Sequence, residues 1–358
     1  MKKKTKVNKK KLDSLLLILL LTAVLMVMST YAWFTANRTV EIGSIDVHVE
    51  TSSGLMISAN GKDWGTSITV DEIRKAKSEG YTGAKNQLPD ELSPVSTALI
   101  QDGEYLEMFL GEVEQDSDKK SDNFGKYFLT TTKQTDADGN SGRYVAFDIF
   151  LKSGKDEEEL YMSGDVTEVA KNSEGKYEAV ETEKGITNAA RVAIIRGGTT
   201  TDVDSQQQVT GLTTSKGEVM MWEPNYNYHT KFGVQNAKDI YNITDLEQGA
   251  GNSYVSYAGV KSEMKDVLLQ TAVEGHAALQ KVNYTWASKK YQEPSLTLPH
   301  DKNGNGISKG ATKYRVYMWI EGQDVDCENN ASGTYAQFDL NFSLDAGDVL
   351  IPVNGISE

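Results

Sequence analysis

Apolar and polar residues alternate along much of this chain with the two-residue period of strands that bury one face. In Tyr144–Leu151, Val145, Phe147, Ile149 and Leu151 fall on one face, and Tyr144, Ala146 and Asp148 fall on the other. The period returns twice near the end. Tyr314, Val316, Met318 and Ile320 alternate with Arg315, Tyr317 and Trp319, and Phe338, Leu340, Phe342 and Leu344 alternate with Gln337, Asp339, Asn341 and Ser343. Ala189–Ile195 is almost wholly apolar and reads as a strand buried on both faces. Val40 and Ile42, then Ile45, Val47 and Val49, alternate on either side of Gly43-Ser44, as in a bulged strand or two short ones. Leu55–Ile57 reads as a further strand, continuous or paired with the one before it, and Asn60-Gly61 as a turn.

Helical signals are sparse. Asp71 is placed to cap a short helix over Glu72–Ser78, and Ser262–Gln270 reads as a helix or, over Val267–Leu269, as a strand. The last two strands are joined by about 14 polar residues with no crossover helix, which predicts neighbouring strands and a loop at one end of a sandwich. The fold class expected is all-β: an antiparallel jelly-roll-like β-sandwich with long polar loops and a few short helices. One domain is expected over residues 33–358, with rim insertions near 112–125, 165–185 and 199–215.

The first 30 residues depart from this pattern. They hold seven lysines and one aspartate, a net of +6, so the remaining chain carries −20 of the overall −14. An apolar run from Leu15 to Met28 follows the basic block, and Thr30 and Ala32 supply small residues at the places a signal peptidase reads. Fourteen helical residues span about 21 Å, short of the roughly 30 Å hydrocarbon core. Residues 1–32 are therefore read as a signal peptide cut between Ala32 and Trp33. A retained anchor is the alternative, if the apolar run continues through Phe34.

An acidic chain has no cation excess to displace counterions from phosphates, which excludes a generally basic nucleic-acid binder. A single cysteine, Cys327, excludes an intramolecular disulfide framework and any cysteine-rich metal site. His48, His229, His276 and His300 are scattered, and none belongs to the spaced pair of a helical zinc protease site. Two places suit calcium. Glu321, Asp324, Asp326 and Glu328 crowd eight residues, as a solvated acidic loop or a cation site. Asp301, Asn303 and Asn305 alternate before Gly306 like the start of an EF-hand loop, but Thr312 stands where the bidentate glutamate belongs. Asp136, Asp138 and Asn140 share that spacing; hairpin turns account for both short runs equally well. Trp222 with Asn225–Tyr228 offers an aromatic lining for a glycan or peptide groove, or ordinary core packing.

The basic start, the apolar run, Tyr31-Ala32-Trp33-Phe34 and the strand Ile42–Val49 together resemble the TasA/camelysin-like proteins, which Firmicutes export through a SipW-type signal peptidase. Leu92–Thr97, Ala189–Ile194, Trp222–Asn225 and Val316–Leu344 resemble a looser group of surface proteins that share this signal. The resemblance implies a jelly-roll-like sandwich and a secreted, non-enzymatic protein of the cell surface or a biofilm-type extracellular matrix. Its partners would be the SipW-type peptidase, then other copies or other matrix proteins, with no nucleic acid and with the membrane touched only by the N-terminal segment. No cofactor is expected, calcium at the two acidic runs above aside. Val40, Ile42, Ile45, Val47 and Val49 are the residues that a strand exchanged between subunits would use. A monomeric adhesin or ligand-binding module is the alternative. A secreted metalloendopeptidase, the activity behind the camelysin name, is a further one, although no zinc ligand set carries over onto this chain.

Protein recovered outside the cells of a native host is expected to begin within a few residues of Trp33 by N-terminal sequencing. Extracellular chains beginning at Met1 or Lys2 would instead establish the retained anchor.

Overall fold

The computed structural model describes residues 39–50, 54–157, 159–180, 187–224, 228–241, 244, 249–250, 267–269, 296–322, 324–327 and 335–345. In chain order the first strands are β1 (Val40–Val49), β2 (Met56–Ser58), β3 (Ser67–Thr69), β4 (Glu91–Leu92), β5 (Ser96–Asp102), β6 (Tyr105–Gln115), β7 (Tyr127–Gln134), β8 (Val145–Ser153) and β9 (Tyr161–Lys171). They continue with β10 (Tyr177–Ala179), β11 (Ala190–Thr200), β12 (Thr214–Trp222), β13 (Tyr228–His229), β14 (Gly249–Ala250), β15 (Val267–Leu269), β16 (Leu296–Thr297), β17 (Gly310–Ile320) and β18 (Tyr335–Ser343). The helices are α1 (Val70–Lys75), α2 (Gln206–Thr210) and α3 (Lys231–Tyr241).

The chain is an all-β sandwich. One sheet has the order β10-β9-β18-β1-β3, with β16 added to β9 and β4 to β1; the facing sheet runs β12-β11-β17-β8-β2. Ile45, Val47, Phe338, Leu340 and Phe342 of the first sheet meet Phe147, Ile149, Val192, Ile194 and Val316 of the second in one buried core. The outer face of the second sheet is buried as well. Ala146, Ala193, Ile195, Met221, Tyr317 and Trp319 pack there with Val95, Leu106 and Met108, around and within a third sheet, β15-β7-β6-β5. The second sheet is thus a middle layer, and every residue of β17 is buried. β18, in the first sheet, keeps the half-buried alternation that its sequence displays.

Several expectations are corrected. β17 and β18 lie in opposite sheets rather than side by side, because the apolar faces of both strands point into the same inter-sheet core. β2 pairs with β8 in the second sheet, so it neither continues nor pairs with β1. The polar stretch 165–185 is not a loop throughout, since β9 and β10 form a hairpin over much of it. The hydrophobic period there is broken by Asp165 and Glu168: Val166 packs into the core between the sheets, and Val169, three positions on, is buried on the opposite face. Near 112–125, β6 continues to Gln115, and near 199–215 the chain holds the end of β11, then α2, then the start of β12. Helix α1 is capped by Thr69, not Asp71. The Thr69 side chain accepts from the Glu72 amide, and the Glu72 carboxylate accepts from the Thr69 amide in return. Val267–Leu269 is a strand, and the rest of Ser262–Gln270 lies outside the described residues.

β1 is one bulged strand, with the register shift at Ile42/Ser44 where Gly43-Ser44 interrupts the alternation. It runs parallel to β18 and antiparallel to β3 and β4, and β1–β18 is one of two parallel pairs among the described strands, which otherwise pair antiparallel. Val40, Ile45, Val47 and Val49 are buried and Ile42 packs partly against the same core. Each such side chain contributes about 1.5–3 kcal/mol, set against a typical domain stability of about 5–15 kcal/mol. Deleting residues 33–50 is therefore expected to abolish cooperative thermal unfolding by circular dichroism. A truncated chain that still melts cooperatively would show β1 to be dispensable.

Candidate functional site

The acidic segment after β17 turns inward. Glu321 donates its amide to the Ala189 carbonyl (2.8 Å), Asp324 to the Glu321 carbonyl and Cys327 to the Asp324 carbonyl (both 3.1 Å). These bonds bring Glu321, Asp324 and Asp326 to 1% exposure or less, so the segment is not a solvated loop. Neighbouring segments converge on it. Val95 exchanges backbone bonds with Ile320 and Gly322, and Arg191, in β11, lies beside Glu223 at the end of β12. Leu92–Thr97, Ala189–Ile194, Trp222-Glu223 and the end of β17, distant in sequence, thus form one cluster.

Arg191 sits at its centre. Its Nη2 pairs with Asp324 and with Glu223 Oε1 (3.1 Å), and its Nη1 donates to the carbonyls of Asn188 and Ala190. Burial opposes the guanidinium charge, but Glu223, Asp324 and Glu321 outweigh it and hold the Arg191 pKa above its ordinary value. Asp324 is raised, by burial first and then by Asp326, against the pull of Arg191. Asp326 accepts from the Thr230 amide (2.9 Å) and hydroxyl (3.2 Å), and its other oxygen lies 2.8 Å from His229 Nδ1. Trp319 Nε1 donates to Glu321 (3.2 Å). An arginine and a histidine therefore stand beside the carboxylates considered for calcium; Glu328 lies outside the described residues. Among the described residues, no three or more His, Cys, Asp or Glu side chains are grouped to hold a metal ion.

The second calcium candidate is an Asx-type turn. Asp301 Oδ1 accepts from the amides of Asn303 (2.8 Å) and Asn305 (3.0 Å), and Oδ2 accepts from the Ser308 hydroxyl (2.6 Å). Burial pushes the Asp301 pKa up, but these donors overcome it and leave it well below the carboxylate range. Gly304 completes the turn at φ +86°.

Sequence reasoning missed a second buried network, on the outer face of the middle sheet. Asp136, read as a turn residue, accepts from Arg315 Nη2 (2.6 Å), Tyr317 (2.7 Å) and Tyr144 (2.7 Å). Asp148 accepts from Arg315 Nη1 (2.9 Å) and Tyr81 (2.6 Å), and lies 3.3 Å from Lys313 Nζ. Burial alone would raise the Asp148 pKa; Arg315 and Lys313 reverse that and lower it. The available signal was the charge on the second face of β8 and β17, which a two-sided core must neutralise.

The other candidates are dispersed. His48 Nε2 lies 2.6 Å from Asp339 and His300 Nε2 lies 3.2 Å from Glu159, far in the chain from the His229–Asp326 pair. His276, Asn225–Asn227 and the signal residues Thr30, Ala32 and Trp33 lie outside the described residues. Among the described residues, no helix is long and apolar enough to cross a membrane. Of the exchange-strand residues, Ile42 and Ile45 line a groove of about 410 Å³ beside the stretch of β1 between its pairings with β4 and β3, walled also by Val70, Leu88, Pro89 and Tyr177. Comparison with family models, with curated proteins and with solved structures finds no match for this chain.

Replacing Arg191 with Leu strands buried carboxylates without a counter-charge and is expected to cost about 3–5 kcal/mol in urea unfolding. Replacing Glu223 and Asp324 with Leu in the same chain should recover most of that loss. Because the guanidinium supplies the compensating charge, a calcium chelator is expected to shift the melting temperature by less than about 2 °C.

Proposed function

We propose that this chain is a secreted, non-enzymatic protein of the cell surface or extracellular matrix that associates with further copies of itself. The observation that carries the proposal is the pairing of the two chain ends. β1 follows the export-type segment directly, and its long partner is β18, near the other end of the described chain, joined in parallel. No hairpin ties these two strands together, so β1 of another copy that takes the same place would re-form the ladders with β18, β3 and β4. Between its contacts with β4 at Glu41 and β3 at Asp46, the outer edge of β1 has no strand partner among the described residues, and the groove opens there. The other edges of these two sheets are mostly blunted by short strands such as β3, β10 and β2, which disfavour unspecific edge pairing. The resemblance to TasA/camelysin-like proteins supports the same role.

The mature chain is expected to form concentration-dependent oligomers or fibres in size-exclusion chromatography and negative-stain images. Ser44 and Gln337 are register partners across β1 and β18. A Ser44→Cys, Gln337→Cys chain, oxidised as a monomer, should lose assembly and regain it on reduction. A chain that stays monomeric at about millimolar concentration, far above ordinary interface affinities, would reject this reading and favour a monomeric adhesin.

A further inference from the structure

On the outer face of the middle sheet, the Lys313 amine of β17 lies between two carboxyl groups. Its Nζ is 3.3 Å from Asp148 Oδ2, on the adjacent strand β8, and 3.6 Å from Glu104 Oε2, in the turn between β5 and β6. Lys313 and Asp148 are buried and Glu104 is part-exposed, its Oε2 also accepting from the Thr214 amide (3.4 Å). In the ladder Lys313 faces Phe150 and Asp148 faces Arg315, so the two residues are diagonal neighbours, about 7–8 Å apart in the backbone. Four methylenes from the lysine and one from the aspartate span that gap, so an amide bond joins them without moving either strand. Tyr81 donates to Asp148 Oδ2 (2.6 Å) and Arg315 Nη1 donates to Oδ1 (2.9 Å). Burial first, and then Asp148, push the Tyr81 pKa up and keep its phenol a donor. Arg315 also holds Asp136 through Nε (3.1 Å) and Nη2 (2.6 Å). Were Lys313 and Asp148 to lose their charges together, Arg315 would keep Asp136 as counter-charge, and the core would be rid of an ion pair that is costly to desolvate.

We propose that Lys313 and Asp148 condense to an isopeptide bond between β17 and β8, with Glu104 as the proton carrier. Glu104 takes one proton from the Lys313 ammonium, and the freed lone pair on Nζ attacks Asp148 Cγ to form the C–N bond. Arg315 Nη1 meets the negative charge that develops on Oδ1. The Cγ–Oδ2 bond then breaks, and Oδ2 leaves as water with two protons from the ammonium, the first delivered by Glu104. Ammonium and carboxylate become amide and water, with no change in net charge and no oxidant or co-reactant. A cavity of about 140 Å³, lined by Tyr81, Glu104, Asp148, Lys313 and Arg315 among others, has room for the departing water, which needs about 10–15 Å³. Burial opposes ionisation of Asp148, but Arg315 and Lys313 outweigh it and lower its pKa, so the resting pair is ionised and the step is slow. One turnover per chain is enough, and the fold holds the reactants together throughout. The bond would staple the middle layer of a chain whose single cysteine allows no internal disulfide, and it does not depend on the self-association proposed above.

Intact-mass spectrometry of the denatured mature chain reads the bond directly: the chain is expected to be lighter than its sequence by one water. Trypsin should then release a branched peptide in which Tyr144–Lys152 is joined to Gly310–Arg315, uncut at Lys313. Lys313→Arg keeps the positive charge beside Asp148, but its guanidinium stays protonated and cannot attack. That variant should melt cooperatively and carry the full mass. Glu104→Gln, at a part-exposed position, should form the bond at least about a hundredfold more slowly after refolding, as loss of a positioned proton carrier implies. A parent chain that still has its full mass after days in the folded state would overturn the proposal. So would a loss of water that persists in Lys313→Arg, because the condensation would then lie elsewhere. A parental rate in Glu104→Gln would overturn the part assigned to Glu104.

Discussion

β17 has no face in water, and the organisation of the middle layer follows from that burial. A strand covered on one side carries its polar residues to solvent; β17 carries Lys313, Arg315, Tyr317 and Trp319 into a second core. A charge so placed needs a fixed partner, because the desolvation penalty is repaid only by good geometry and by filled hydrogen-bonding positions. Arg315 finds Asp148 on the adjacent strand and Asp136 from the turn before β8, and Tyr317 and Tyr144 complete the Asp136 shell. The same demand recurs one strand over, where Arg191 of β11 gathers Asp324 and Glu223. Both networks join segments far apart in the chain, and each fixes how an outer segment sits on the middle sheet.

The first sheet is built on the opposite rule. β18 alternates buried and half-buried residues from Tyr335 to Phe342, and it and its neighbour β1 come from opposite ends of the described chain. Parallel pairing of chain ends leaves β1 held by side-chain burial and ladder bonds alone, with no tight turn to β18. Such a strand is firmly placed in the folded monomer and yet topologically separable, which is the property an exchanged element needs. The second sheet, buried on both faces, provides the surface against which β1 packs.

The candidate sites were legible unevenly. The carboxylates after β17 stand out in sequence by density alone, but density does not distinguish a solvated loop from a buried cluster. The decisive partner, Arg191, lies 133 positions from Asp324. Asp301 was readable as a turn former, since its bonds to Asn303, Asn305 and Ser308 are all local. Asp136 was readable only as a turn residue. Its role depends on Arg315, Tyr317 and Tyr144, two of which meet it only through sheet pairing.

Alternation alone located the strong strands β8, β17 and β18, the face that each turns to the main core, and the interruption at Gly43-Ser44. These follow from a two-residue period acting over a few neighbours, broken at Gly43-Ser44 where the register with β18 shifts. The sequence also determined that a basic, apolar segment precedes the β-rich body. Long-range packing set the rest: β17 and β18 belong to opposite sheets, β1 runs parallel to β18, and the polar faces of β8 and β17 are covered. Alternation records that two faces differ. It does not record what lies against the second face, because that depends on the fold of β5 and β6, whose contacts with β17 span more than 200 residues, as between Leu106 and Tyr317.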